Sequence, residues 1–259
     1  MDYSVKQQAE RIQQRAWTDQ YAAAPHDFVE ATGLQVIPLA EGVAQFLLPA
    51  VPYRMFNRVL GLGIFTPVTE TQVETARANF TAAGCTNFAL TLGPGDPPPV
   101  GLTLIDQWAL LTRTAKTVPE AQTGLRIAHA EPIVFGETLC RGYEMPETMI
   151  PWVSALVGRP GWSTYVTYDN DQPVGCAAMF IQDGAAWFGP AATLPERRGL
   201  GSQSALFARR IADAQDQGCS LLVTEALPDT LETPNPSYRN MIRVGFTEAY
   251  RHLNYGVPS

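Results

Sequence analysis

Gly199 and Gly201, within TLPERRGLGSQSAL (residues 193–206), stand directly before an amphipathic helical pattern. Glycine reaches backbone conformations closed to other residues, so consecutive N–H groups there can converge on one cluster of ligand oxygens. A helix opening at that point adds N–H groups without intrahelical partners and the positive end of its dipole. Together these favour an anion, and a pyrophosphate suits them in charge. Arg198 precedes the turn and adds a positive side chain. No Gly-Lys-Ser/Thr follows, as a P-loop requires, and Ser204 stands where the dinucleotide fingerprint needs its last glycine.

Other residue types with chemical potential form no such pattern. His26, His129 and His252 make no recognisable Ser/His/Asp or Cys/His arrangement. Cys85, Cys140, Cys176 and Cys219 are far apart, with no Cys-x-x-Cys pair and no His at zinc spacing, so buried thiols and no bound metal are expected. A net charge of -7 and a pI near 5.0 argue against nucleic acid as a partner. The polar N-terminus has no apolar run resembling a signal peptide or membrane span, which predicts a cytoplasmic protein without a membrane partner.

The elements that must position the glycine turn follow from periodicity. Three short strands, at 164–168, 173–181 and 185–193, are separated by Asp169-Asn170-Asp171 and Asp183-Gly184 and read as an antiparallel meander. The helix after the turn presents Leu206, Ile211 and several alanines on one face and ends at Gly218, ahead of a strand at 219–226. A Pro-rich loop, a short helix at 238–244 and a strand at 246–255 complete this half. It opens with a strand at 125–131 and one or two helices between 137 and 157.

The first half opens with a helix from Ser4 to Ala24, stopped by Pro25. Strands at 34–39, 43–48 and 54–62 follow, then a helix ending near Ala83, a strand at 87–92, a Pro-rich loop, and a helical segment from Leu104 to Arg113. Lys116 to Gly124 reads as a linker between an N-terminal unit, 1–120, and a C-terminal unit, 124–259. Both halves share the order helix, Gly-Cys, strand, Pro-rich loop, short helix, which suggests a degenerate internal duplication. The first half lacks the anion loop: Gly61-Leu62-Gly63 runs into Ile64-Phe65 without a helix cap.

Residues 124–259 resemble the GNAT superfamily of acyl-CoA-dependent N-acyltransferases. Pro195, Arg198, Gly199 and Gly201 fall on that family's Pro-x-x-Arg-Gly-x-Gly-x-Gly/Ala pattern, with Gln203 in the last position. The segment from Pro234 to Phe246 resembles the family's later Asn-x-x-Ala/Ser helix ending in Gly-Phe, with Asn235 one place along from the expected Asn. The resemblance implies a mixed α/β (α+β), mostly antiparallel sheet flanked by helices, with the whole chain forming two tandem GNAT-like domains.

It further implies acetyl-CoA as co-substrate and a small-molecule or peptide amine as acceptor, in a monomer or homodimer. The pyrophosphate would rest on Arg198, Gly199, Leu200, Gly201, Ser202, Gln203 and Ser204, and Asn240 is a further candidate contact. Ala191, Ala192 and Thr193 would pair the pantetheine arm like an added strand. An acceptor ammonium must lose its proton before attack, and Glu225, at the end of the adjoining strand, is the first candidate base. Met241 occupies the place of the tyrosine proposed to protonate the thiolate in many relatives, which leaves Tyr238 or Ser237 as substitutes. The competing reading is a catalytically inactive CoA-binding regulatory module. Glu225 as an exposed strand end, Ser237 as an N-cap and Tyr238 as a packing residue are the plain alternatives.

Overall fold

A computed structural model describes residues 3–115, 117 and 123–257. The opening pattern folds as α1 (Tyr3–Ala22), and Pro25 then caps a second helix that the pattern did not announce, α2 (His26–Thr32), which Gly33 closes in the left-handed conformation at φ 69°. The next strands are β1 (Gln35–Ala40), β2 (Val43–Leu47) and β3 (Arg58–Leu62), with a short 3₁₀ turn at Arg54–Phe56. Thr69 and Gln72 form a reciprocal capping box at the start of α3 (Glu70–Ala82), which leads to β4 (Ala89–Leu92).

The segment expected as a helix from Leu104 to Arg113 is instead the strand β5 (Thr103–Thr114). Ala109, Leu110 and Leu111 are wholly buried, Leu110 in the core on one face of the sheet and its two neighbours in the core on the other. A strand covered on both faces loses the alternation that would reveal it, and its apolar run then mimics a helix.

The second half runs β6 (Arg126–His129), α4 (Pro132–Tyr143), α5 (Ile150–Ser154), β7 (Trp162–Asp169), β8 (Gln172–Gln182), β9 (Ala185–Thr193), α6 (Ser202–Asp216), β10 (Leu221–Ala226), α7 (Pro236–Arg243) and β11 (Thr247–Gly256). Of the expected linker, Lys116 and residues 118–122 lie outside the described residues. No described helix is long and apolar enough to cross a membrane.

All eleven strands form one sheet in the order β1-β2-β3-β4-β11-β5-β10-β9-β8-β7-β6. Each half contributes an antiparallel meander, a crossover helix and a strand parallel to the meander's last: β1-β2-β3, α3, β4 and β7-β8-β9, α6, β10. The pattern is mirrored about the central antiparallel pair of β5 and β11. At that centre the halves interleave: β5, from residues 1–120, lies between β10 and β11, whereas β11, from residues 124–259, lies between β5 and β4.

Helix α1 packs with α2, α4 and α5 on one face, around Trp17, Tyr21, Phe46 and the wholly buried Trp152. On the opposite face, α3 covers the first half through Val73, Ala76 and Phe80, and α6 with α7 covers the second through Phe207, Ile211 and Met241. The sheet is thereby covered by helices on both faces.

Candidate active site

A cavity of about 660 Å³ opens at the start of α6. Gly199 and Gly201 both take positive φ, 87° and 84°, and Gly201 is the residue from which the helix departs. The helix start is held close to the sheet: a Cβ on Gly175 of β8 would stand 2.6 Å from Ser202 Oγ and 2.7 Å from the Ala192 carbonyl oxygen. Ser202 itself is buried, its hydroxyl 2.7 Å from that of Thr167 on β7. Its side chain therefore anchors the helix, and it is the backbone of the turn that faces the cavity.

Gln203 bridges to α7. Its amide donates to Ser237 Oγ at 2.6 Å, its carbonyl oxygen accepts from Asn240 at 2.6 Å, and Arg243 in turn donates to Asn240 at 2.7 Å. Gln203 thus departs from the small residue of the family pattern without filling the turn, because its side chain is spent joining two helices. Asn235 caps α7, accepting from the backbone N–H groups of Ser237 and Tyr238.

The other wall is the end of β9. That strand pairs with β10 only through Ala185, Ala186 and Trp187; Thr224 Oγ1 then donates to the Phe188 carbonyl, and the strands part. Ala191, Ala192 and Thr193 pair with β8 on one side and line the cavity on the other. A V-shaped gap in a parallel pair leaves one edge of β9 free to bond an extended arm.

Most predicted cofactor residues come together here: Ala191 to Thr193, Arg198, Gly199, Gly201 to Ser204 and Asn240 all line the cavity, as does Ser237 of the predicted catalytic residues. Leu200, 43% exposed, does not. Sequence reasoning missed Tyr143, Cys176, Arg210 and Arg243, which approach from four separate elements and share no motif. Arg210 is buried, hydrogen-bonded only to the neutral carbonyls of Leu206 and Ala178 among its described contacts, and burial lowers its pKa to about 10. Burial also raises the Cys176 thiol far above the ordinary range. Tyr143 has surface reachable from the cavity, yet desolvation around its hydroxyl raises its pKa, with the Ala191 backbone opposing and the charge of Glu225 adding to the rise.

Glu225 and Tyr238 stand elsewhere. Tyr238 donates to Glu248 on β11 at 3.0 Å, and the neighbouring Met241 is in the core. The Glu225 side chain is 7% exposed and bidentate with Arg58 of the first half, at 2.6 and 3.3 Å, while Gln13 of α1 donates to it at 2.6 Å. The expectation of an exposed strand-end carboxylate is thus corrected. Close by, His252 Nε2 is 2.8 Å from Glu10, which also accepts from the Tyr250 hydroxyl. Burial alone would raise the Glu10 carboxyl; the charge of His252, the bonds from His252 and Tyr250, and the charge of Arg58 outweigh it and hold the pKa below the usual value. No motif marks this cluster, because its members come from α1, β3, β10 and β11 and meet only when the halves interleave.

All four cysteines are free and buried. Among the described residues, one group of three potential metal ligands lies close together, His26, Asp27 and Glu30, and all are exposed.

No family model matches the sequence, and no curated protein sequence matches it significantly. Solved structures do. A GCN5-related N-acetyltransferase from Kribbella flavida superposes with a TM-score of 0.63 at 18% identity, covering 97% of this chain and 96% of that one. A GCN5-related N-acetyltransferase from Sphaerobacter thermophilus gives a TM-score of 0.59 at 12% identity over 82% and 79% of the two chains. A tandem GNAT protein from the clavulanic acid biosynthesis pathway gives 0.53 at 17% identity over 82% and 77%. These likenesses, with the mirrored order of the sheet, give the chain the GNAT fold in tandem form.

Proposed function

We propose that this protein is an acyl-CoA-dependent N-acyltransferase that moves an acyl group, most simply acetyl, from acetyl-CoA to the amine of a small molecule or peptide. The observation that carries the reading is the convergence, in one cavity, of the positive-φ turn Gly199–Gly201, the start of α6 and the unpaired edge of β9. The turn's backbone N–H groups and the helix dipole would hold the pyrophosphate, with Arg198 and the buried charge of Arg210 adding positive potential. Ala191 to Thr193 would bond the pantetheine arm. Acetyl-CoA supplies the activated thioester, and the acceptor attacks its carbonyl directly: the C–N bond forms, the C–S bond breaks, and the amine proton leaves to water.

Ser237 is the predicted catalytic residue that lines the cavity. Because its oxygen accepts from Gln203, its own O–H remains free to hydrogen-bond the departing thiolate, which leaves as the anion and takes its proton from water. Glu225 is better read as a positioning residue that fixes Arg58. The four free thiols suit a reducing compartment, and we place the protein in the cytoplasm.

The alternative, a CoA-binding module without turnover, draws support from the engagement of Glu225 by Arg58 and of Tyr238 by Glu248. Calorimetric titration with acetyl-CoA, then thiol release over a panel of amines, separates the two. Binding with release supports the enzyme, binding without release on any amine favours the module, and no binding refutes both.

A further inference from the structure

A second, smaller cavity lies at the seam of the two halves, on the face covered by α1. It measures about 40 Å³ and is walled by Arg54, Met55, Arg58, Asp106, Trp108 and Asn254. A water molecule needs roughly 10–15 Å³ of such space, so the cavity seats about three water-sized groups, the charged end of a small molecule. Register places it at a definite point: Ala226, the last residue of β10, pairs with Ala109, and Trp108 lies one residue further toward the end of the sheet at which β9 and β10 part. From β10 to β11 is two strand spacings, roughly 10 Å.

The polar groups of this cavity are arranged in series. The Thr91 hydroxyl donates to Asn254 Oδ1 at 2.6 Å, Asn254 Nδ2 donates to Asp106 Oδ1 at 2.6 Å, and Arg54 Nη1 meets Asp106 Oδ2 at 3.4 Å. Arg54 Nε is held independently by Asn87 Oδ1 at 3.1 Å. Two donors of Arg54 are thereby fixed while its Nη2 has no hydrogen-bond partner among the described residues, and the charge of Asp106 is already answered. Arg58 is 3% exposed, its two terminal nitrogens bonded to Glu225, and its buried Nε–H has no partner. Both arginines line this small cavity, Arg58 with a buried, unpaired Nε–H and the 32% exposed Arg54 with an Nη2 that no described residue answers, beside the flat side chain of Trp108 and the apolar Met55. A buried donor left unpaired is costly, and a guanidinium N–H is best answered by a planar carboxylate.

We infer that this seam cavity anchors a carboxylate of the acceptor, so that the acceptor is a small amine bearing a carboxylate, an amino-acid-like molecule. The inference rests on the acyltransferase reading and deepens it. Arg54 and Arg58 take the carboxylate, Trp108 and Met55 take the carbon skeleton, and the amine projects toward the gap between β9 and β10. The first half is then no idle duplicate: Arg54, Met55, Arg58, Asp106 and Trp108 all belong to it.

The test uses the full chain and a panel of the standard amino acids, each matched with its C-terminal amide. Binding to CoA-saturated protein is followed by ligand-observed NMR, and turnover by thiol release from acetyl-CoA. Acids are expected to bind and react at least about tenfold better than their amides, the worth of one or two charge-assisted hydrogen bonds. Arg54→Gln, at a side chain 32% exposed, should bring that ratio close to unity through KM, leave acetyl-CoA affinity intact, and be partly rescued in Arg54→Lys. Equal binding of acids and amides, no binding of either, or an equal loss for both in Arg54→Gln would overturn the inference. If acetyl-CoA fails to bind while acids bind in an Arg54-dependent way, the acyltransferase reading falls and the carboxylate site stands.

Discussion

Arg58→Met should be among the most damaging single substitutions in the chain, and pairing it with a change at Glu225 should restore much of what it costs. The guanidinium is 3% exposed and the carboxylate 7% exposed, and they meet through two hydrogen bonds of 2.6 and 3.3 Å. Removing one member of such a pair leaves an uncompensated buried charge, a loss of about 3–5 kcal/mol, whereas replacing both by apolar groups of similar volume is close to neutral. Arg58 also stacks 4.4 Å from the centre of the Trp17 ring, which adds about 1–2 kcal/mol to its own deletion. Urea unfolding at neutral pH, followed by tryptophan fluorescence and far-UV circular dichroism, would compare wild type, Arg58→Met, Glu225→Leu and the double variant. In a thermal melt followed by the same probes, each single change should lower the melting temperature by roughly 6–20 °C. The double variant should lose at least about 2 kcal/mol less than the sum of the singles. Additivity within about 0.5 kcal/mol would refute the pair as the fastener of the two halves. Glu225→Gln, assayed by thiol release across pH, separates the roles: a positioning carboxylate leaves the pH profile in place, while a general base removes its acid limb.

Gly201→Glu should reduce acetyl-CoA affinity about a thousandfold, because a carboxylate about 4 Å from a phosphate costs about 4 kcal/mol per charge pair at an effective dielectric of 20; the φ of 84° adds strain that lowers the melting temperature by a few degrees. Calorimetry and a thermal melt read the two effects, and unchanged affinity would remove the turn from the site. In native protein a thiol reagent should label none of the four cysteines on the time scale of mixing and all four after denaturation, since all are buried and their thiols are raised by burial, Cys140 to about 11. The Glu10 carboxyl is held below the ordinary glutamate value of 4.5 by His252, Tyr250 and Arg58, so the folded state binds fewer protons than the unfolded one through that window. Its contribution is therefore full above that value and is lost as pH falls through the folded pKa; Glu10→Gln should flatten the acid limb of stability by up to about 1.4 kcal/mol per pH unit. A slope equal to that of wild type would show that Glu10 does not titrate with folding.

The glycine turn was legible because a short local pattern carries its whole geometry: Gly199 and Gly201 need positive φ, and Arg198 and Ser204 are fixed to them by the chain. The meander before it was legible for a similar reason, since Asp183-Gly184 and Asp169-Asn170 punctuate it. β5 was misread because tertiary cover on both of its faces erased its period. Glu225 was placed on the right strand end, but no local signal announces that Arg58, far away in sequence, will occupy it. Tyr143 and Arg210 were missed because a cavity wall assembled from four elements has no spacing to detect.

The exchange of β5 and β11 bears on how such a chain can be made and how it can change. During synthesis the first half emerges with β4 lacking the neighbour that closes its sheet, and that neighbour, residues 247–256, follows only after β6 to β10 have been made. Residues 1–120 must therefore wait with an open strand edge, and an exposed edge invites pairing with other chains. The same exchange prevents the two copies from parting: splitting the gene between them would leave each product one strand short, β10 without β5 and β4 without β11. The first half, which lacks the anion turn, thus supplies the second with a strand that its sheet cannot do without.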